Sequence, residues 1–472
     1  DPHMPWDRVP EGAFHPLVVL QESIRGTHEY TNPMGIPMGW SQYLIDPRNW
    51  KGFALGHSLG ILPESRAQKG TPLPGDYVVL IGEPTGHDGI HGATVSSGSM
   101  TSSTSTVDAA HVQIGMPIGE RVFMEAVPVL RDADCIRACT DCGAAGLSSA
   151  VGEMGSACGV WVNLARVPLK CASLHPWQIW ISESQERGVL CIPQDKLGSA
   201  ERILQDYGVQ YRVIGVFTDT HRCQVVYDPT TTGTEPNVLQ SLNRTLAADT
   251  IVIDLPYRFL DGGCPLPTIN VQEPALNLTH SEPPHPQGNE AWITEVAAQL
   301  GHYNVSDQSI AAHRYDQTVQ GNTVLPYIGG RNENMPDELF AAAPVPGETW
   351  GALAACATNQ YYGDVDPAGC GQLLMAQAMA RLVAAGCDPS DILCNVNVYT
   401  PRVIDSPENA WRLEQLVRYG YVPASQDLGM PVISGKDSSS GTFVTKDGMR
   451  IDAPLTLSVL ALGRVLDVRS LI

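Results

Sequence analysis

The residues best suited to chemistry lie in Cys139-Thr140-Asp141-Cys142-Gly143-Ala144-Ala145-Gly146-Leu147, followed by Ser148, Ser149, Glu153 and Met154. A carboxylate closes an apolar segment, and a small-residue turn then opens a helix. With only glycine and alanine between Cys142 and Leu147, a ligand can approach the backbone. Amides at a helix start suit phosphate oxygens, and Asp141 beside them can hold a divalent metal. The same residues also suit a plain strand-to-helix turn with close packing. Cys135-x3-Cys139-x2-Cys142 offers a second chemistry, because this is the radical-SAM spacing for an iron–sulfur cluster. That motif belongs on a loop after the first strand of a barrel, and the surrounding sequence does not look like one.

Other segments carry polar groups in patterned places. Gly86-His87-Asp88-Gly89-Ile90-His91-Gly92-Ala93 follows an apolar strand and offers backbone amides to a phosphate. His87 and His91 could pair with an anion, although histidines in a polar loop are more often solvated. Gln113 precedes a Gly-Met-Pro turn, where its amide could read a polar group of a substrate. Glu183-Ser184-Gln185-Glu186-Arg187 is expected between two apolar strands, downstream of Trp177 and Trp180, so these polar groups need partners or a ligand. Ser434-Gly435-Lys436-Asp437-Ser438 follows a strand and supplies a glycine, an ammonium and hydroxyls suited to a nucleotide phosphate. The Gly-x4-Gly-Lys spacing of a Walker A loop is absent there. Neither a Ser/His/Asp triad nor an HExxH motif is legible.

The elements that position these residues follow from apolar periodicity. Strands are expected at Leu17–Leu20, Gly52–Gly56, Tyr77–Gly82, Val160–Leu164, Val189–Ile192, Tyr211–Phe217, Ile392–Val398, Met430–Ile433 and Leu455–Leu462, with another ending at Asp254-Leu255-Pro256. Helices are expected over Glu120–Leu130, Ser148–Met154, Leu197–Tyr207, Leu373–Ala385 and Ala410–Tyr419, and a polar loop over 94–106. The alternation implies an α+β or α/β layered fold. Pro-rich sequence around Glu282-Pro283-Pro284-His285-Pro286 reads as a linker.

Composition bounds the rest. A chain of 472 residues with 43% hydrophobic residues can bury two or three cores. The net charge of −21 and pI near 4.9, without a Lys/Arg cluster, argue against nonspecific nucleic-acid binding. No run of about 18 apolar residues suggests a membrane span, and no secretory signal is visible. The first residues, Asp1-Pro2-His3-Met4, look like a trimmed end or a cut through a longer chain. Twelve scattered cysteines, several in apolar runs, fit reduced buried thiols and a cytoplasmic location.

Taken together, six ordered motifs resemble the synthetase chain of phosphoribosylformylglycinamidine synthase, an enzyme of purine biosynthesis. They are Gly86–Ala93, Gln113-Ile114-Gly115, Asp141-x-Gly143-Ala144-Ala145-Gly146-Leu147, Glu183–Arg187, Tyr315-Asp316-x-x-Val319-Gln320-Gly321-Asn322-Thr323 and Ser434–Ser438. The resemblance runs from about residue 30 to 465 and displaces the radical-SAM reading. It implies tandem AIR synthase-like domains: a remnant of a first A-type domain (1–74), a B-type domain (75–265), a linker (266–300) and a second A-type domain (301–472). The last B-type unit would be absent.

The implied activity is ATP-dependent amidation of formylglycinamide ribonucleotide, through an iminophosphate, with ammonia from glutamine. By the same resemblance Asp141 binds Mg2+, Gln113, Glu183, Ser184, Gln185 and Ser438 contact the ribonucleotide, and Asn397, Gly435 and Lys436 meet ATP. Lys436 stands where shorter relatives have a metal-ligating Asn, and a protonated Lys cannot ligate. His87 replaces a family Arg, and Cys394 falls where the family has an Asp. The family's catalytic His and further metal ligands would lie upstream of this chain, and no Cys nucleophile of a glutaminase is present. Expected partners are therefore a glutaminase subunit or domain and the missing segments, with neither nucleic acid nor membrane. The isolated chain is expected not to amidate its substrate. The competing expectation is a diverged or truncated relative that binds nucleotide or ribonucleotide without catalysis.

Overall fold

The structure, a computed structural model, describes residues 1–101, 115–231, 250–275 and 285–471. They form two compact units, Gly60–Ser96 with Thr106–Pro267, and Asp1–Leu59 with Ser97–Ser105 and Thr268–Ile472. Mixed helix-and-sheet layers appear in each, as the periodicity predicts.

In the first of these units the strands are β1 (Tyr77–Gly82), β2 (Ala138–Asp141), β3 (Val160–Asn163), β4 (Arg187–Ile192), β5 (Tyr211–Phe217), β6 (Arg222–Val226) and β7 (Ile251–Pro256). They form one seven-stranded sheet in the order β2-β4-β1-β5-β3-β6-β7. All pairings are antiparallel except β3 with β6. The continuous apolar run of β1 has a simple cause, since both faces of the sheet are covered. Val78 and Leu80 join a core with Leu147, Val151, Ile179 and Trp180 on one face. Tyr77, Val79 and Ile81 join Ala126, Leu130, Ala200 and Leu204 on the other. Helices Leu147–Gly155 and Pro176–Ile181 therefore cover the first face, and Pro117–Asp132 and Leu197–Asp206 the second.

The other unit is built on β8 (Thr323–Leu325), β9 (Phe340–Ala342), β10 (Gly351–Asn359), β11 (Leu393–Thr400), β12 (Val432–Ser439) and β13 (Thr456–Val465). Their order is β12-β11-β13-β10-β9-β8, with β12 an edge strand parallel to β11. Helix Pro367–Ala384 covers it through Cys370, Leu374, Met375, Ala378 and Leu382. A Cβ on Gly371 would lie 2.6 Å from the Tyr421 amide nitrogen, so only glycine allows the approach of the segment after Pro407–Glu414. That segment, Gln415–Tyr421, is a π-helical turn.

Several local expectations are corrected. Leu17–Leu20 is not a strand but part of helix Pro16–Met34, started by Pro16 at its first turn and by His15, whose Nδ1 accepts the Leu17 amide at 3.1 Å. A four-residue apolar run does not separate the two states. Gly52–Gly56 forms no regular element. Within the polar 94–106 stretch, Gly92–Ser97 is helical and Met100–Thr101 pairs with Phe443–Val444. The segment before Glu183 is the helix Pro176–Ile181 rather than a strand. The predicted Ala410–Tyr419 helix divides between Pro407–Glu414 and the π turn.

Candidate functional site

Asp141 ends β2 and is exposed, with its Oδ1 accepting the Gly143 amide at 2.8 Å. Ala145 and Gly146 follow in the left-handed region, at φ 61° and 58°. At Gly146 a Cβ would lie 2.0 Å from the Ser182 carbonyl oxygen, so the turn presses backbone on backbone. Glu183 is buried against this turn. Its Oε1 accepts the Ala145 amide at 2.9 Å, and its two oxygens accept the Ala93 amide at 3.1 and 3.0 Å. Ser184, 1% exposed, accepts the Gly86 amide at 2.9 Å and donates to Asp88 Oδ1 at 2.9 Å. Gln185 is half-buried, and its amide donates to the Glu183 carbonyl at 3.4 Å. Asp141, Glu183, Ser184 and Gln185 are thus gathered at one corner. Gln113 lies outside the described residues.

Arg187, the last residue of the Glu183–Arg187 motif, anchors this corner. Its guanidinium is buried, with Nε donating to the Ser184 carbonyl at 2.8 Å and Nη1 to Thr85 Oγ1 at 2.8 Å, while Nη2 donates to the Ser182 carbonyl. Burial lowers its pKa, opposed by Cys142 and Asp88. Burial alone would raise the Asp88 carboxyl, but the Ser184 hydroxyl and Lys170, 3.2 Å away, hold it below the ordinary range. His91 stacks on Trp177 at 5.9 Å between centroids.

Burial raises the Glu120 carboxyl, and Glu186 and Asp141 add to the rise. These carboxylates feel one another without surrounding a common point. Among the described residues no group of three or more His, Cys, Asp or Glu side chains is placed to hold a metal. Mg2+ commonly takes one or two carboxylates and completes its shell with water and phosphate oxygens, so Asp141 fits as a single ligand. The cysteine spacing assembles nothing. Cys135 packs in one core of the sheet and Cys142 in the other, and burial raises both thiols, Cys142 to about 11. All twelve cysteines are free.

The remaining predicted residues lie in the other unit. Ser434–Ser438 does not follow a strand but forms most of β12, because β12 is an exposed edge whose polar composition hid it. Gly435, Lys436 and Ser438 stand opposite Val396, Asn397 and Tyr399 of β11. A Cβ on Gly435 would reach the Val396 carbonyl at 3.0 Å. Asn397 is 4% exposed, and its Oδ1 is buried without a hydrogen-bond partner among the described residues. An orphaned acceptor of this kind fits a group that donates to it, as a nucleotide base does. Beside this set, Tyr399 donates to the Lys51 carbonyl at 2.9 Å and stacks on Phe53 at 4.6 Å. Burial and Arg402 lower Lys51 to about 8. Periodicity gave no sign of this contact, since Lys51 and Phe53 lie in irregular backbone.

Residues 74–228 match the family of AIR synthase related proteins, C-terminal domain, and carry six strands of the seven-stranded sheet, β1 to β6. Over nearly its whole length the chain is similar to phosphoribosylformylglycinamidine synthase subunit PurL. It is 30% identical to that of Cutibacterium acnes over 440 residues, covering 90% of this chain and 54% of the relative. It is 27% identical to that of Thermoplasma acidophilum over 465 residues, covering 97% and 57%. The chain thus spans little more than half the length of these curated relatives. Among solved structures, Thermotoga maritima PurL complexed with FGAR superposes with a TM-score of 0.66 at 22% identity, over 95% of this chain and 65% of that one. PurLQS from the same organism gives 0.67 at 19%, over 94% and 64%. These superpositions carry the fold.

Proposed function

We propose that this chain is a section of a phosphoribosylformylglycinamidine synthase, working in the cytoplasm in purine biosynthesis. The observation that carries the reading is the likeness to PurL over 97% of the chain, joined to a corner where the Asp141 and Glu183 motifs meet. In this reading Gln113 and the Glu183–Gln185 segment are ribonucleotide contacts, and Ser438 is a ribonucleotide contact by the resemblance. Asp141 offers Mg2+ one carboxylate, and Asn397, Gly435 and Lys436 face ATP. MgATP supplies the phosphoryl group that converts the formamide oxygen into a leaving group, and ammonia displaces it to give the amidine. A tight backbone turn beside a carboxylate suits that chemistry, because charge builds on phosphoryl oxygens during transfer. Ammonia would come from a glutaminase partner, in keeping with the word subunit in the relatives' names and with the PurLQS assembly.

The chain spans 54–57% of those relatives, which favours binding as the first thing to measure. Ligands that bind the native state raise its melting temperature. Thermal unfolding with MgATP, and separately with formylglycinamide ribonucleotide, should show a rise for each. No rise with either ligand sinks the reading. A companion assay with ammonia and MgATP decides the second reading, a binding relative without catalysis: binding with no amidine formed supports it.

A further inference from the structure

We infer that Glu183 is a positioning residue, whose carboxylate locks the Gly86–Ala93 loop and the Asp141–Gly146 turn into one body. The family resemblance implies a substrate contact at Glu183; the inference rests on the proposed function only for what the locked loops serve.

The two segments are 52 residues apart at Ala93 and Ala145 and share no strand pairing among the described residues. Each presents a backbone amide to the same side chain. Glu183 Oε2 accepts from Ala93 at 3.0 Å, and Oε1 accepts from Ala145 at 2.9 Å while also standing 3.1 Å from the Ala93 nitrogen. Buried at 7% exposure, the carboxylate makes these charge-assisted bonds in a place where water competes poorly. The residues on either side repeat the pattern. Ser182 Oγ donates to the Gly86 carbonyl at 2.9 Å, and the Ser182 carbonyl meets Gly146 backbone to backbone. Ser184 takes the Gly86 amide. The Glu183 amide itself donates to the Gly89 carbonyl at 3.3 Å. Arg187 holds the carbonyls of Ser182 and Ser184 from below. Glu183 reaches both segments with one side chain.

A carboxylate suits these two partners. The Ala93 and Ala145 groups are both N–H donors, and glutamine would turn its own NH2 toward one of them, placing donor against donor. Aspartate is one methylene shorter, so its bonds to both segments lengthen. The consequence is that Asp141, four residues before the anchor at Ala145, is held at a fixed spacing from the phosphate-suited amides of residues 89–92. A ligand held at one loop is then felt at the other, and such coupling is reciprocal.

Hydrogen exchange of the full chain tests this with three proteins: wild type, Glu183→Gln and the milder Glu183→Asp, with Gln185→Ala as a neighbour control. Loss of a charge-assisted bond should speed exchange by about tenfold or more. Glu183→Gln should do so in the peptides over 89–97 and 143–149 together, leaving those over 211–217 unchanged, and Gln185→Ala should move neither. In wild type, Mg2+ alone at millimolar concentration should slow exchange over 89–97 as well as over 143–149, and in Glu183→Gln this remote effect should vanish. Exchange unchanged in both segments, or changed in one only, overturns the inference, as does a remote Mg2+ effect that survives in Glu183→Gln. If Glu183→Gln fails to fold, the paired acceleration in Glu183→Asp makes the same decision. Should wild type show joint protection yet no thermal response to the ribonucleotide, the clasp stands and the functional reading falls.

Discussion

The two regions that carry the predicted ligand residues differ in how their polar groups are satisfied. At the Glu183 corner nearly every buried donor and acceptor has a protein partner: Arg187, Ser182, Ser184 and Glu183 each bridge two or more backbone groups. Along β11 and β12 the Asn397 acceptor has no partner among the described residues, and Gly435 and Lys436 lie on an exposed edge. The first region is built before any ligand arrives, and its stability depends on its own network. The second keeps a binding group unsatisfied at some cost in stability. Substitutions should therefore separate the two, with stability lost in one and ligand response lost in the other.

The largest effect is expected at Arg187. Replacing it with Met in Arg187→Met keeps the apolar stem and removes the guanidinium. The Ser182 and Ser184 carbonyls and Thr85 Oγ1 lose their donors in a buried place. Orphaned buried groups cost about 1–3 kcal/mol each, so with three of them a loss of about 3 kcal/mol or more should appear in urea unfolding of this unit. A loss under about 1 kcal/mol would mean that the loops are held by something other than this network, and the contrast between the regions would fail.

Why the sequence revealed Asp141–Leu147 and not Arg187 has a physical answer. Small residues after a buried strand advertise a tight turn whatever they pack against, so the Asp141–Leu147 turn is legible in the sequence. Arg187 acts through carbonyls three and five residues back, which face it only because the chain reverses at Glu186, φ 54°. No spacing rule announces a left-handed Glu. The strand at β1 was legible because both its faces are buried. The edge strand β12 was not, because exposure removes the alternation that marks a half-buried strand. Leu17–Leu20 failed for the opposite reason: its apolar run is too short to show a period, and the helix is declared by Pro16 and His15 instead.

A smaller effect belongs to Asp88 and shows in pH dependence. Ser184 and Lys170 hold its folded pKa below the unfolded value. Such a group adds stability that is fully present above the unfolded pKa, near 4, and is lost as pH falls through the folded pKa. Asp88→Asn should therefore lower the melting temperature at neutral pH. The gap from wild type should close as the solution is acidified through that window. Lys170→Met should reproduce the trend in weaker form, since the ion pair is partly exposed. A gap that persists unchanged at acid pH would show that Asp88 contributes through shape rather than charge.

The smallest stability change, and the clearest reversal, is expected at Asn397 and Lys436. Asn397→Val removes the orphaned acceptor along with its desolvation cost, so stability should stay level or rise by up to about 1 kcal/mol. Lys436 is exposed and makes no ion pair among the described residues, so Lys436→Met should change stability by no more than about 0.5 kcal/mol. Both variants should lose part or all of the thermal response to MgATP, in contrast to Asp88→Asn, which should keep it. The reversal depends on Asn397 being a binding group that the fold tolerates rather than one that it needs. If Asn397→Val destabilises by more than about 2 kcal/mol, its amide is structural. The β11–β12 region would then resemble the Glu183 corner, and nucleotide contact would have to be sought elsewhere along that edge.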